Sequence, residues 1–298
     1  MEVRNTCSTW EEPLSIGRCA TLATVIEATA AKPGNVHRGA DFEDLSYPDF
    51  VIAAIAVGPI FDEAVELPLG QIVLTAVEAT RHCVDTNVNL GTILLLAPLA
   101  KVPRTESLVE GTSRVLSQTT AADSRDVYQA IALARPGGMG KVEESDISGA
   151  PPSDLIAAMR LAADRDMVAR QYAENFHHVL EIIVPRIKQS LAEGLHLNDA
   201  IVRLHLQLMS EFPDSLIARR LGPAVAAEAA ARAGKVLSLG RPGDQDYQLG
   251  LAELDFWLRS DGHRRNPGTT ADLIAAGLFA ALRDGIIKPP FRLAKLDS

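Results

Sequence analysis

Apolar residues recur at helical spacing along almost the whole chain, and runs with strict two-residue alternation are nearly absent. Such a pattern buries a stripe on a helix but cannot give a strand one dry face and one wet face. It confines the chain to helix-on-helix packing. Alanine is abundant and aromatic residues make up only 5%, so the helices are expected to approach one another closely. The expectation is an all-α fold, a single multi-helix globular domain covering residues 1–298, without internal repeats or low-complexity linkers. With 298 residues, 47% of them hydrophobic, there is ample material for a core.

The spacing predicts helices over 12–31, 71–83, 92–99, 199–211, 223–233, 247–260 and 270–284, and another after a Ser46–Asp49 capping box. Asp123 with Asp126 is expected to open a helix ending at Arg135-Pro136-Gly137-Gly138. A long helix is expected from Ser153 or Asp154 towards Gly194, with a kink at Pro185. Gly234 and Gly285 stand where helix C-caps belong. The stretch 141–153 is the best candidate break in the chain.

The formal net charge is -9, which argues against nucleic acid or an anionic membrane as the main partner. A phosphorylated small ligand stays open, because it needs only a local group of cations. Cys7, Cys19 and Cys83 form an odd set without CxxC spacing, as expected of a chain in a reducing cytoplasm. No apolar run approaches the roughly 20 residues of a membrane span. The opening residues lack the order of a signal peptide.

Polar knots interrupt the helices. The densest is Lys32-Pro33-Gly34-Asn35-Val36-His37-Arg38-Gly39-Ala40-Asp41-Phe42-Glu43-Asp44. Its glycines let backbone bend around a ligand. Lys32 and Arg38 suit phosphate, and Asp41, Glu43 and Asp44 suit a hard cation or proton transfer; a solvated loop is the plain alternative. Asn87 and Asn89 precede the apolar helix 92–99, either as caps or as part of an anion site at its N-terminus. Arg135, Gly137, Gly138 and Lys141 make a glycine-rich loop with cations at both ends. Arg265, Asn266 and Gly268 lead into a helix for which Thr269 and Asp272 read as a capping box.

Two acids fall on apolar helix faces. Glu27 lines up with Ile16, Ala20, Ala23 and Ala30. Asp166 lines up with Leu155, Met159, Ala162, Ala169, Ala173, Phe176, Leu180 and Ile183. An acid on a core stripe must be paired or bound. Arg170, four residues on, is the expected partner of Asp166, with Asp164 flanking. There is no GxxxxGK[ST], GxGxxG, DDxxD, HExxH or GxSxG motif.

Taken in order, five segments resemble the triphosphoribosyl-dephospho-CoA synthase family: Glu27 to Val36; Thr86 to Gly91 running into Leu94–Leu99; Asp126-Val127-Tyr128 with Ala134 to Gly140; Ala163 to Tyr172; and Asn266 to Leu273. The resemblance spans about residues 20 to 280. It implies an all-α enzyme that joins the triphosphoribosyl group of ATP to 3'-dephospho-CoA and releases adenine. The expected partners are therefore ATP, 3'-dephospho-CoA and Mg²⁺, with oligomeric state open. Glu27, Asp41, Asp164 and Asp166 are the acid–base candidates, and Asp44, Asp164 and Asp166 the metal candidates. Lys32, Gly34, Asn35, His37, Arg38, Asn87, Asn89, Arg135, Gly137, Gly138, Arg170, Arg265, Asn266 and Gly268 are the substrate-binding candidates.

The chain departs from the family pattern in places. His37 replaces an aspartate, Gly39–Asp44 replaces a Gly-Ala-His-x-Asp-Met run, and Asp214-Ser215-Leu216 keeps only the first residue of Asp-Thr-Asn. These features resemble a divergent branch linked to tetrahydromethanopterin-type one-carbon cofactor pathways. Two further readings follow: another enzyme on the same scaffold, acting on a phosphorylated cofactor precursor, or a non-catalytic helical binding protein.

Overall fold

Two helices have almost no polar face. In α4 (Leu90–Ala100) every residue but Gly91 is buried. In α14 (Gly268–Arg283) every residue but Gly268 and Asp272 is buried. A helix apolar all round must be surrounded by others, and these two pack on each other at the centre. The structure, a computed structural model, describes residues 13–135 and 151–293, and among them are fourteen α-helices.

Around the central pair, α1 (Ile16–Thr29) packs on α14 and on α2 (Tyr47–Asp62), while α3 (Leu69–Cys83) packs on α2, α4 and α6 (Ala121–Ala134). α5 (Leu108–Ser117) lies against α4. A string of short helices follows: α7 (Leu155–Ala162), α8 (Met167–Ala173), a π-helical turn (His178–Ile183) and α9 (Val184–Ala192). Then come α10 (Leu197–Glu211), α11 (Ser215–Leu221), α12 (Pro223–Ser238) and α13 (Gln245–Arg259), with a short extended piece, Ser260–His263. A smaller cluster that includes Leu206, Met209, Ala229, Tyr247 and Leu258 joins α10 to α13.

Small residues set the close approaches. A Cβ on Gly17 would lie 2.1 Å from the Gly58 carbonyl oxygen, so α1 and α2 cross with their backbones nearly touching. The Gly17 amide also donates to Asp62 Oδ1 at 2.6 Å.

The predicted helix over 153–194 is not continuous. α7 stops at Ala162, and Asp166 starts α8 by accepting bonds from the Val168 and Ala169 amides at 2.8 and 3.3 Å. Asn175 and Phe176, at φ 51° and 61°, break the path again. Pro185 falls in the first turn of α9, directly after the π-helical turn His178–Ile183. Gly234 lies inside α12 rather than capping it. The sixth helix opens at a Thr120–Asp123 capping box instead of Asp123–Asp126. Helices α5 and α11 have no counterpart in the sequence reading. The Ser46–Asp49 box and the left-handed Gly285, at φ 70°, stand where the spacing placed them.

Candidate active site

α1 ends in a turn that folds Lys32 back under the helix. Lys32 Nζ donates to the Glu27 and Ala30 carbonyls and lies 3.0 Å from Glu27 Oε1. Both side chains are buried, Lys32 completely and Glu27 to within 4%. Burial pushes the Glu27 carboxyl up and the Lys32 ammonium down, and their mutual attraction opposes both shifts. The expected inward Glu27 is thus present. Lys32, expected near phosphate, is held by its own helix end.

The turn is clamped from outside. Gly34 has φ 73°, its amide donates to Asp255 Oδ1 at 2.7 Å, and a Cβ there would fall 2.6 Å from Leu258. Only glycine meets both demands. His205 Nε2 is 3.3 Å from the Pro33 carbonyl oxygen. Burial, with Lys32 nearby, pushes the His205 pKa down to about 3, so the ring is neutral and Nε2 carries the donated proton. Asn35 Nδ2 donates to Asn266 Oδ1 at 2.8 Å, and Arg259 donates to the Asn35 carbonyl. Residues 32–35 and 266, far apart in sequence, therefore meet.

Beyond Val36 the chain forms an outer loop. Arg38 is exposed and His37 half-buried; burial first, then Arg259 and Lys32, push the His37 pKa down. Asp41 Oδ1 accepts from the Tyr47 amide at 2.7 Å, and Asp44 Oδ1 is 2.7 Å from His263 Nδ1. Arg259 stacks on Phe42, 4.8 Å from the ring centre. Asp41 and Asp44 thus fasten this loop.

A second acid joins Glu27. Asp272 Oδ1 accepts from Thr92 Oγ1 at 2.6 Å, and a Cβ on Gly91 would lie 2.1 Å from Asp272 Oδ2. Its carboxyl therefore rests against the start of α4. Burial pushes its pKa up to about 7; the Thr92 bond opposes this, and the charges of Glu27 and Asp214 add to it. Asp214 is buried and accepts four bonds: Leu216 N and Ile217 N at 2.8 and 3.1 Å, and Thr270 N and Oγ1 at 2.8 Å each. The capping box read at Thr269 and Asp272 does not form, since α14 already begins at Gly268 and Asp272 turns to α4. The sequence signal for Asp272 was an acid inside an otherwise apolar helix. Asp214 and Arg219 offered none so clear. Nearby, Asn87 Oδ1 caps α4 through the Leu90 amide at 3.2 Å, whereas Asn89 Nδ2 donates to Thr80 Oγ1 at 3.0 Å.

The remaining candidates lie elsewhere or are engaged. Asp166, half-buried, pairs with Arg219 rather than with Arg170. Because α7 and α8 are separate, it is a helix cap and not a lone acid on a core face. Arg170 donates to the Ala163 carbonyl at 3.0 Å and lies 3.9 Å from Asp164, which is fully exposed. Arg265 donates to the Trp257 carbonyl at 2.9 Å and covers that indole, as does Arg232. Gly268 packs under Leu216. Arg135 is an exposed left-handed C-cap; Gly137 and Gly138 lie outside the described residues. Asp44, Asp164 and Asp166 are held by three different partners, and among the described residues no three potential ligands gather around a metal position.

The family model for ATP:dephospho-CoA triphosphoribosyl transferase matches residues 13–289. A crystal structure from Archaeoglobus fulgidus, of a protein proposed to be a triphosphoribosyl-dephospho-CoA synthase, is 26% identical in sequence with a TM-score of 0.60. The similarity covers 78% of this chain and 98% of that one. No curated protein matches the chain.

Proposed function

Since the chain belongs to the ATP:dephospho-CoA triphosphoribosyl transferase family and is a transferase, we propose that its chemistry takes place where α1, α4 and α14 meet. One observation carries the proposal. Three of the five segments that bear the resemblance meet there, through Glu27, Lys32 and Asn35 on one side and Thr92, Asn266 and Asp272 on the other.

The reaction breaks the bond from ribose C1' to adenine in ATP and joins C1' to a hydroxyl of 3'-dephospho-CoA. Positive charge develops on the ribose as adenine leaves. The carboxylates of Glu27 and Asp272 supply negative charge beside that centre, in a low-dielectric setting where it acts strongly. Mg²⁺ enters as part of the substrate, on the triphosphate of ATP. The acids first expected to bind it are separately engaged, so no protein-held ion is invoked. Arg38, exposed on the outer loop, and Arg219 are the cations we assign to the triphosphate. Among the described residues no helix is long and apolar enough to cross a membrane; with ATP as substrate and free thiols at Cys19 and Cys83, we place the protein in the cytoplasm.

The test is chromatography of adenine from purified protein with MgATP, with and without 3'-dephospho-CoA. Adenine that depends on the acceptor is the expected result. ATP binding without adenine release would refute this acceptor, and no ATP binding would refute the reaction.

A further inference from the structure

We propose that Asp272 takes the proton from the acceptor hydroxyl as the new bond to C1' forms, and that Thr92 is the positioning residue holding its carboxylate in line. The proposal rests on the reaction assigned above and names the group that moves the proton.

The choice among the acids follows from what each is doing. Glu27 is buried and tied to Lys32 across 3.0 Å. It can act by its charge but has no path to a substrate proton. Asp214 is buried and both its oxygens are saturated by four bonds. Asp272 is half-buried on a helix whose other residues beyond Gly268 are all buried. Among the described residues it accepts one hydrogen bond, at Oδ1 from Thr92. Its Oδ2 faces the spot where Gly91 lacks a side chain. Of the three acids it alone combines a fixed orientation, an oxygen that accepts no hydrogen bond among the described residues, and a position that is not fully covered.

The proton accounting closes. The C1'–N9 bond of ATP breaks and its electron pair leaves with adenine. The acceptor oxygen bonds to C1' and gives its proton to Asp272. The carboxyl then passes that proton to adenine, directly or through water, so adenine departs neutral and Asp272 is regenerated. A base working near neutral pH should itself titrate there, and the Asp272 value of about 7 meets that condition. The groups that set it are Thr92 from α4, Glu27 with its partner Lys32 from α1, and Asp214 and Arg219 at α11. Burial and the two acids raise it, whereas Thr92 and Arg219 lower it.

The ionised form is the base, so kcat/KM rises with pH through about 7 and levels off above. The experiment follows acceptor-dependent adenine release against pH in wild type, Asp272→Asn, Thr92→Val and Thr92→Ser, with thermal melts as the folding control. In Asp272→Asn, kcat is expected to fall by about 100-fold or more and the acid limb to vanish, with KM for ATP changed by less than about threefold. Thr92→Val loses the bond that lowers the carboxyl pKa, so its limb moves to higher pH, and Thr92→Ser keeps the wild-type limb. A folded Asp272→Asn protein within about threefold of wild type would overturn the proposal. So would a limb that does not move in Thr92→Val, which is decisive even if Asp272→Asn fails to fold. If wild type binds ATP but releases no adenine, the acceptor assigned above falls, and if it binds no ATP the reaction falls; in either case this inference falls with it.

Discussion

Replacing Lys32 with methionine should be among the most damaging single changes available to this fold. The ammonium is completely buried, bonds the Glu27 and Ala30 carbonyls, and neutralises Glu27. Methionine fills similar space but leaves a buried carboxyl without its counter-ion. Breaking one side of such a pair costs about 3–5 kcal/mol. Glu27 can limit the loss by taking up a proton, which its raised pKa already favours, so a figure near 4 kcal/mol is expected. For a chain of 298 residues that lowers the melting temperature by roughly 6 °C. Glu27→Leu combined with Lys32→Met removes both charges and should recover at least about 1 kcal/mol relative to Lys32→Met alone. Urea denaturation of wild type, both single variants and the double variant closes the cycle. The reasoning fails if Lys32→Met costs under about 1 kcal/mol, or if the double variant is no more stable than that single one.

Acid sensitivity should trace in part to His205. Its folded pKa, about 3, lies below the unfolded value near 6.5, so its contribution is full above pH 6.5 and is lost as pH falls towards 3. The loss is on the order of 5 kcal/mol. His205→Gln, which keeps an N–H for the Pro33 carbonyl, should flatten that part of the stability–pH curve in denaturant titrations; an unchanged slope would show that His205 is not responsible. Gly91→Ala would drive a methyl to 2.1 Å from Asp272 Oδ2. The carboxyl must then shift, and we expect adenine release to fall by roughly tenfold or more with a stability loss of about 1–3 kcal/mol. Wild-type turnover in that variant would contradict the packing described.

What could be read from sequence followed from what side chains repeat. Glu27 was recoverable because Ile16, Ala20 and Ala23, in phase with it, are apolar and one unbroken helix carries all four, with Ala30 at its C-cap. Asp166 looked the same but is not, since the apolar spacing of α7 and α8 stays in phase across the turn that separates them. The left-handed Asn175 and Phe176, which break the path again, have no glycine to announce them. Asp272 was hidden by a local pattern with two meanings. Thr-x-x-Asp caps a helix only if the threonine precedes the first turn, and here the helix has already begun at Gly268. The Asn35–Asn266 and Thr92–Asp272 bonds join positions more than 170 residues apart, a distance at which spacing in a single sequence carries no information.

The departures from the family pattern fall in a telling place. The Gly39–Asp44 segment is largely exposed and fastened by its own contacts to Tyr47, His263 and Arg259. Residues that follow the pattern, such as Glu27, Lys32, Asn35 and Asn266, are buried and bonded to one another. The late segment keeps Asp214, the one member whose four bonds tie α11 to α14, and places Leu216 against Gly268 where the pattern has an amide. Substitution is cheap at an exposed loop and expensive at a buried polar network, because there each lost partner strands another group. A chain that keeps the family's chemistry can therefore differ from the pattern on its outer loop while the buried polar network around Glu27, Lys32, Asn35 and Asn266 stays intact.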